Sequence, residues 1–203
     1  MTDDPGSRRD LVVIGASAGG IPTLTRVVAG LPSDLAASIC IVVHIAPTGP
    51  SALARILQRA GRLECRQAED GDHLRVAKIL VAAPNRHLVI EDDRVGLTMG
   101  PREKGHRPSV DVLFRSAAAS RGARVIGVVL SGNQDDGTAG MAAIQAEGGA
   151  TIVQDPDEAL YPGMPTAALA RVPVDAVAPS ERVAAVIAKM VSGAHPVAAK
   201  EPA

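Results

Sequence analysis

A chain of 203 residues, 46% of them hydrophobic and 21% charged, is long enough for one domain with a full core and does not have the composition of a disordered polymer. A formal net charge of −1 gives no global pull toward nucleic acid or anionic lipid, so neither is an expected partner except through a local patch. Two cysteines with no CxxC imply neither a disulfide framework nor a zinc site.

The opening MTDDPGSRRD (1–10) is polar and is expected to be disordered. LVVIG (11–15) is a short β-branched run bounded by glycine and predicts a buried parallel strand. Residues 19–30 follow as a helix, with Leu24, Val27 and Val28 at helical spacing. ICIVVH (39–44) predicts a second buried strand, in which Cys40 packs as a small hydrophobe. SALARILQRAG (51–61) predicts a helix, with Ser51 as candidate N-cap and Gly61 as its stop. KILVAAP, RHLVIED and RVGLTMG predict three short strands with no helix between them, an antiparallel meander attached to the sheet.

Alternation then resumes. VDVLFRSAAASRG predicts a helix, RVIGVVL (124–130) a buried strand, and GTAGMAAIQAEGG a helix. ATIVQ, a helix near 164–170, VDAVA and a helix over 180–192 complete the series, and the tail from Gly193 is expected to be flexible. The whole predicts an α/β fold: a doubly wound, mostly parallel sheet with helices on both faces and an antiparallel β-hairpin or meander insertion. One catalytic domain is expected over residues 11–192. No stretch is apolar for long enough to form a signal core or membrane span, so a soluble, cytoplasmic protein without direct membrane insertion is expected.

The turn after the first strand, GASAG (15–19), has three readings. It fits a G-x-S-x-G turn that exposes the Ser17 hydroxyl, a dinucleotide fingerprint whose middle glycine is replaced by Ser17, or a plain tight turn of small residues. The turn alone does not separate them. In open parallel sheets reactive groups gather at the carboxyl ends of strands, and three strands end in side chains fit for chemistry. These are Ser17 after the first, His44 after the second, and Asp135 with Asp136 in SGNQDDG after residues 124–130. A nucleophile, a base with an intrinsic pKa near about 6.5 and a carboxylate that fixes the base's tautomer are what a serine hydrolase needs. The chain order Ser, His, Asp differs from the Ser, Asp, His of α/β-hydrolases and argues against that superfamily. The bland alternatives are a turn serine, a strand-end histidine and an aspartate capping the helix near Thr138. A dinucleotide-binding module is disfavoured, because His44 stands where such a site needs an acidic residue.

Eight blocks in order, VIGASAGG, VVHIAP, AEDGD, VAAPNRHLVI, RPSVDVLFRSAA, GVVLSGNQDDGTAG, GGATIVQDP and GMPTAAL, resemble the catalytic domain of CheB-type protein-glutamate methylesterases of bacterial chemotaxis. The likeness runs from about Leu11 to Met190. It implies hydrolysis of glutamate γ-methyl esters in the cytoplasmic helical region of chemoreceptors, with release of methanol and no cofactor or metal. It also implies the catalytic set Ser17, His44 and Asp136. Only ten residues precede the first strand, which suggests a stand-alone member without the family's receiver domain and with a separate response-regulator protein as a second candidate partner. Asn133-Gln134 stands where the chemotaxis enzymes usually have Met-Gly, a departure that bears on the oxyanion contact and on substrate preference. A backbone N–H at Asn133 does not depend on that side chain. The alternatives are a protein-glutamine deamidase acting through the same residues and a catalytically idle interaction protein.

Three further features are singled out. His87 is read as support for the meander. GPREKGHRP gathers Arg102, Lys104, His106 and Arg107, read either as a solvated loop or as a basic rim for acidic receptor helices. Met164 fits a pocket lining or the core equally well.

Overall fold

The computed structural model describes residues 8–44 and 52–193. The main sheet contains β1 (Leu11–Ala16), β2 (Ser38–Val43), β3 (Glu64–Gln67), β4 (Lys78–Val81), β7 (Val125–Val129), β8 (Ala150–Gln154) and β9 (Ala176–Ala178). All pairs are parallel, in the order β3-β4-β2-β1-β7-β8-β9. The chain builds outward from β1 on one side and then returns to its other side as β7. That reversal is a topological switch point, where a crevice opens at the strands' carboxyl ends.

Both faces of the sheet are covered, and the strands alternate between them. Val12, Ile14 and Ala16 of β1 pack with Leu24, Val27, Val28, Val183 and Ile187 from α1 (Gly20–Gly30) and α6 (Ser180–Val191). Leu11 and Val13 face Leu113, Phe114, Met141 and Met164 from α3 (Val110–Arg121), α4 (Thr138–Ala146) and α5 (Gly163–Arg171). Burial on both sides explains why β1, β2 and β7 read as continuous apolar runs. Among the described residues no helix is long and apolar enough to cross a membrane.

The middle of the chain departs from expectation. RHLVIED and RVGLTMG form the antiparallel hairpin β5 (His87–Glu91) and β6 (Arg94–Thr98), a separate two-stranded sheet. KILV does not join them as the first arm of a meander. It is β4, inserted between β2 and β3 of the parallel sheet. The cause is β3, an edge strand whose ECRQ buries only Cys65 and carries no apolar run. Without β3 in view, the crossover from α2 (Leu53–Ala60) to β4 had no parallel partner. The N-cap position of α2 is Ala52, and Ser51 lies outside the described residues. Most of segments 1–10 and 193–203 also lies outside them. Asp10 is described and continues β1, donating its N–H to Arg124 O at 3.1 Å and accepting from Ser38 N–H at 2.9 Å.

Two glycines let α3 press its first residue against the end of β1. A Cβ built on Gly15 would lie 2.2 Å from Val110 Cγ1, and one on Gly137 would lie 2.9 Å from the same methyl. Gly137 also has φ 101°, a left-handed value that L side chains avoid. The N-terminus of α3 is thereby wedged beneath the loop that follows β7.

Candidate active site

Ser17 leaves β1 at the switch point. Its N–H donates to Ser131 O at 2.9 Å, and Gly20 N–H donates to Ser17 O at 2.9 Å, closing the turn into α1. The left-handed residue of this turn is Gly19, with φ 70°, so Ser17 itself is free of the backbone strain of a hydrolase elbow. Gly132 comes close enough that a Cβ on it would lie 2.8 Å from Ser17 Cβ and 2.1 Å from Met164 Sδ. Met164 is fully buried, and its N–H donates to Gly132 O at 2.8 Å. It is therefore a core residue that supports the loop after β7. On the outer side, the exposed Leu160 and Tyr161 flank Gly19, and Tyr161 O accepts from Gly132 N–H at 2.9 Å.

His44 lies between Ser17 and Asp136. Its Nδ1 is 3.1 Å from Ser17 Oγ, and its Nε2 is 2.7 Å from Asp136 Oδ2. Asp136 accepts on both oxygens from other donors: Val110 N–H to Oδ2 at 2.9 Å, and Ser109 Oγ–H at 3.0 Å and Asp111 N–H at 2.9 Å to Oδ1. Burial alone would raise the Asp136 carboxyl, but the His44 ring and the backbone N–H groups of α3 outweigh it and hold the group well below the usual carboxylate range. An ionised acceptor at Nε2 places the ring proton on Nε2, which leaves the Nδ1 lone pair to accept from the serine hydroxyl. The two side chains are 6% and 1% exposed, so the arrangement is shielded from competing water.

Asp136 was open to the reading that it caps α4. It caps α3 instead, while the N-cap position of α4 is Gly137, with no side-chain cap. A buried partner, Asp111, does the reverse. From the first turn of α3 its Oδ1 accepts Gly137 N–H at 2.9 Å and Gly140 N–H at 2.7 Å, at the start of α4. Two carboxylates thus exchange helix termini. Burial is the main force raising the Asp111 carboxyl, with the Asp136 charge adding to it, while the Gly140 N–H and Lys104 oppose. Lys104 Nζ lies 2.9 Å from Asp111 Oδ2 and 3.1 Å from Asp135 Oδ1. Burial would lower the lysine, but these two carboxylates raise it. Asp135 also pairs with Arg171 at 2.9 Å and stays away from His44.

Sequence reasoning missed Ser109 and Asp111 as site residues, although both lie in the block RPSVDVLFRSAA. Buried His87 braces the same corner, donating Nε2–H to Pro101 O at 2.9 Å and accepting Ser109 N–H on Nδ1 at 3.2 Å. Cys40 and Cys65 are buried, their thiols pushed up to about 12 by desolvation. Among the described residues no three His, Cys, Asp or Glu side chains are grouped to hold a metal ion.

Comparison with known proteins bears on this arrangement. The sequence profile described as CheB methylesterase matches residues 12–187. An Anaeromyxobacter dehalogenans protein named protein-glutamate methylesterase/protein-glutamine glutaminase 2 is 41% identical over 87% of this chain and 52% of its own length. A Methanosarcina acetivorans protein of the same name is 34% identical over 90% of this chain and 54% of its own. This chain thus spans about half the length of these two relatives, whereas it covers 91% of a Leptospira interrogans relative that is 36% identical. The crystal structure of the Thermotoga maritima CheB methylesterase catalytic domain superposes with a TM-score of 0.85 at 28% identity, covering 90% of this chain and 98% of that one. With its fold matched and its sequence aligned from β1 into α6, the chain belongs to the CheB methylesterase family.

Proposed function

We propose that this protein is a serine hydrolase that removes methyl groups from glutamate γ-methyl esters of methyl-accepting chemotaxis receptors. Ser17 is the nucleophile, His44 the general base and acid, and Asp136 the carboxylate that orients and charges the base. The observation that carries the reading is the unbroken hydrogen-bonded line Ser17 Oγ, His44 Nδ1, His44 Nε2, Asp136 Oδ2, with contacts of 3.1 and 2.7 Å. Free serine is a weak nucleophile near neutral pH, and such a line is what activates it.

As Ser17 Oγ attacks the ester carbonyl carbon, His44 Nδ1 takes the hydroxyl proton. The imidazolium forms with its other N–H already bonded to a buried carboxylate, so its charge arises beside a fixed negative partner. The oxyanion needs a preorganised donor. Gly132 packs against Ser17, and the backbone N–H of the next residue, Asn133, fills that role whatever its side chain. Collapse expels methoxide, which leaves as methanol with the proton from His44. Water then attacks the acyl-serine ester, His44 again takes a proton, and the glutamate carboxylate is released. Exposed Leu160 and Tyr161 provide an apolar wall beside the Ser17 turn, suited to the flank of a helix presenting one methyl ester. The relatives' double name favours a second activity of the same residues, deamidation of glutamine, in which ammonia leaves in place of methanol.

The test is methanol release from methylated receptor fragments by the purified protein, beside Ser17→Ala. Release that depends on Ser17, with labelling by a fluorophosphonate, is the expected result. Equal release by both proteins would sink the assignment.

A further inference from the structure

Residues 102–107 hold the basic side chains that this reaction does not use. They form an exposed tight turn. Glu103 and His106 exchange both backbone hydrogen bonds, at 3.1 and 2.8 Å, around Lys104 and Gly105 in the left-handed region (φ 48° and 83°). Each side of the turn is anchored. Lys104 reaches Asp111 and Asp135, and Glu103 is bound by Arg115 at 2.7 Å. Arg107 donates to Asn85 Oδ1, Met99 O and Gly100 O. Lys104 is thus answered by carboxylates, whereas Arg102 and Arg107 hydrogen-bond only uncharged groups, so the turn keeps positive charge at its surface.

What the turn presents is His106. Its ring lies flat on the ring of His44, centroids 3.5 Å apart and planes 4° from parallel. The bonds to Ser17 and Asp136 fix His44 along its two nitrogens, in the ring plane, but nothing in them resists tilting out of that plane. The stacked ring covers that face.

We propose that His106, on a turn anchored through Lys104, is a positioning residue that holds the His44 ring in the plane shared with Ser17 and Asp136. The charged groups around its ring are His44, Asp136 and Arg102. Burial is the first force pushing the His106 imidazole below its ordinary range, with His44 and Arg102 acting the same way against Asp136 and Gln134. A neutral ring leaves the proton taken from Ser17 to His44. The inference rests on His44 being the base proposed above.

The experiment compares wild type with His106→Ala, His106→Phe and Ser17→Ala. It reads kcat and KM for methanol release, and the downfield proton resonance of the His44 Nε2–H bonded to Asp136. His106→Ala should lower kcat by about tenfold or more at little cost in KM, because a misplaced base slows the chemistry and not binding. It should also broaden or abolish the resonance. His106→Phe restores a flat ring and should return kcat to within about threefold of wild type, with the resonance present. If His106→Ala keeps wild-type kcat and resonance, or if His106→Phe is as slow as His106→Ala, the proposal falls. Should His106→Ala fail to fold, His106→Phe decides it by the same threefold margin. A Ser17→Ala variant that still hydrolyses the ester would overturn the reading of the site, and the resonance across the His106 series would still decide whether His106 holds His44.

Discussion

An Asp136→Asn substitution keeps the outline of the side chain and exchanges one accepting oxygen for a donating NH2. In the wild type four donors converge on the two oxygens: His44 and Val110 on Oδ2, Ser109 and Asp111 on Oδ1. With the amide nitrogen at the Oδ2 position, it confronts His44 Nε2–H and Val110 N–H. The imidazole escapes only by moving its proton to Nδ1, where it points at Ser17 and can no longer accept the hydroxyl proton. With the nitrogen at the Oδ1 position, Ser109 can turn its hydroxyl to accept, but Asp111 N–H loses its acceptor. In both cases the charge that steadies the imidazolium is gone.

Turnover should therefore fall by roughly 10²- to 10⁴-fold, the range for losing a triad carboxylate. The structure adds a cost, because at least one buried N–H of α3 is left unpaired, worth about 1–3 kcal/mol and a melting point lower by several degrees. Methanol release and thermal unfolding on the same preparation measure both. Turnover within tenfold of wild type would refute the role of Asp136. An unchanged melting point would refute the cap on α3.

Ser17→Ala should lower ester hydrolysis by on the order of 10³-fold or more with the melting point preserved, since alanine fits the turn, and His44→Gln should lose a similar factor, both read by methanol release. Asp135→Asn should stay within about threefold of wild type in rate and about 1 kcal/mol in stability, because its pairs with Lys104 and Arg171 are partly exposed. A crippled Asp135→Asn beside an active Asp136→Asn would move the site by one residue. Asp136 has a depressed folded-state pKa, so its stabilisation is complete above about pH 4 and is lost as the pH falls toward the folded value. The melting-point gap between wild type and Asp136→Asn should accordingly be constant from neutral pH down to about pH 5 and close below about pH 4. A gap that widened in acid would contradict the sign.

The doubly wound sheet was legible because β1, β2 and β7 are buried on both faces and carry the unbroken β-branched runs that such burial demands. The three chemical side chains were legible for a related reason, since each directly follows or closely trails a strand whose carboxyl end had to face the crevice. What escaped depends on pairing across the fold. Strand β3 is an edge strand with one buried side chain, so it has no hydrophobic signature, and missing it misplaced β4. In residues 102–107 the charges are visible in sequence but their partners are not. Lys104 is answered by Asp111 and Asp135, and His106 by His44 from the far side of the hairpin. The same holds for the first turn of α3. A capping aspartate is sought just before its own helix, yet Asp136 caps α3 and Asp111 caps α4. That exchange is possible because Gly15 and Gly137 admit Val110 into the space between them. The position of the proposed base's carboxylate is therefore set by how closely two glycines let a helix approach, a distance that only the folded chain reveals.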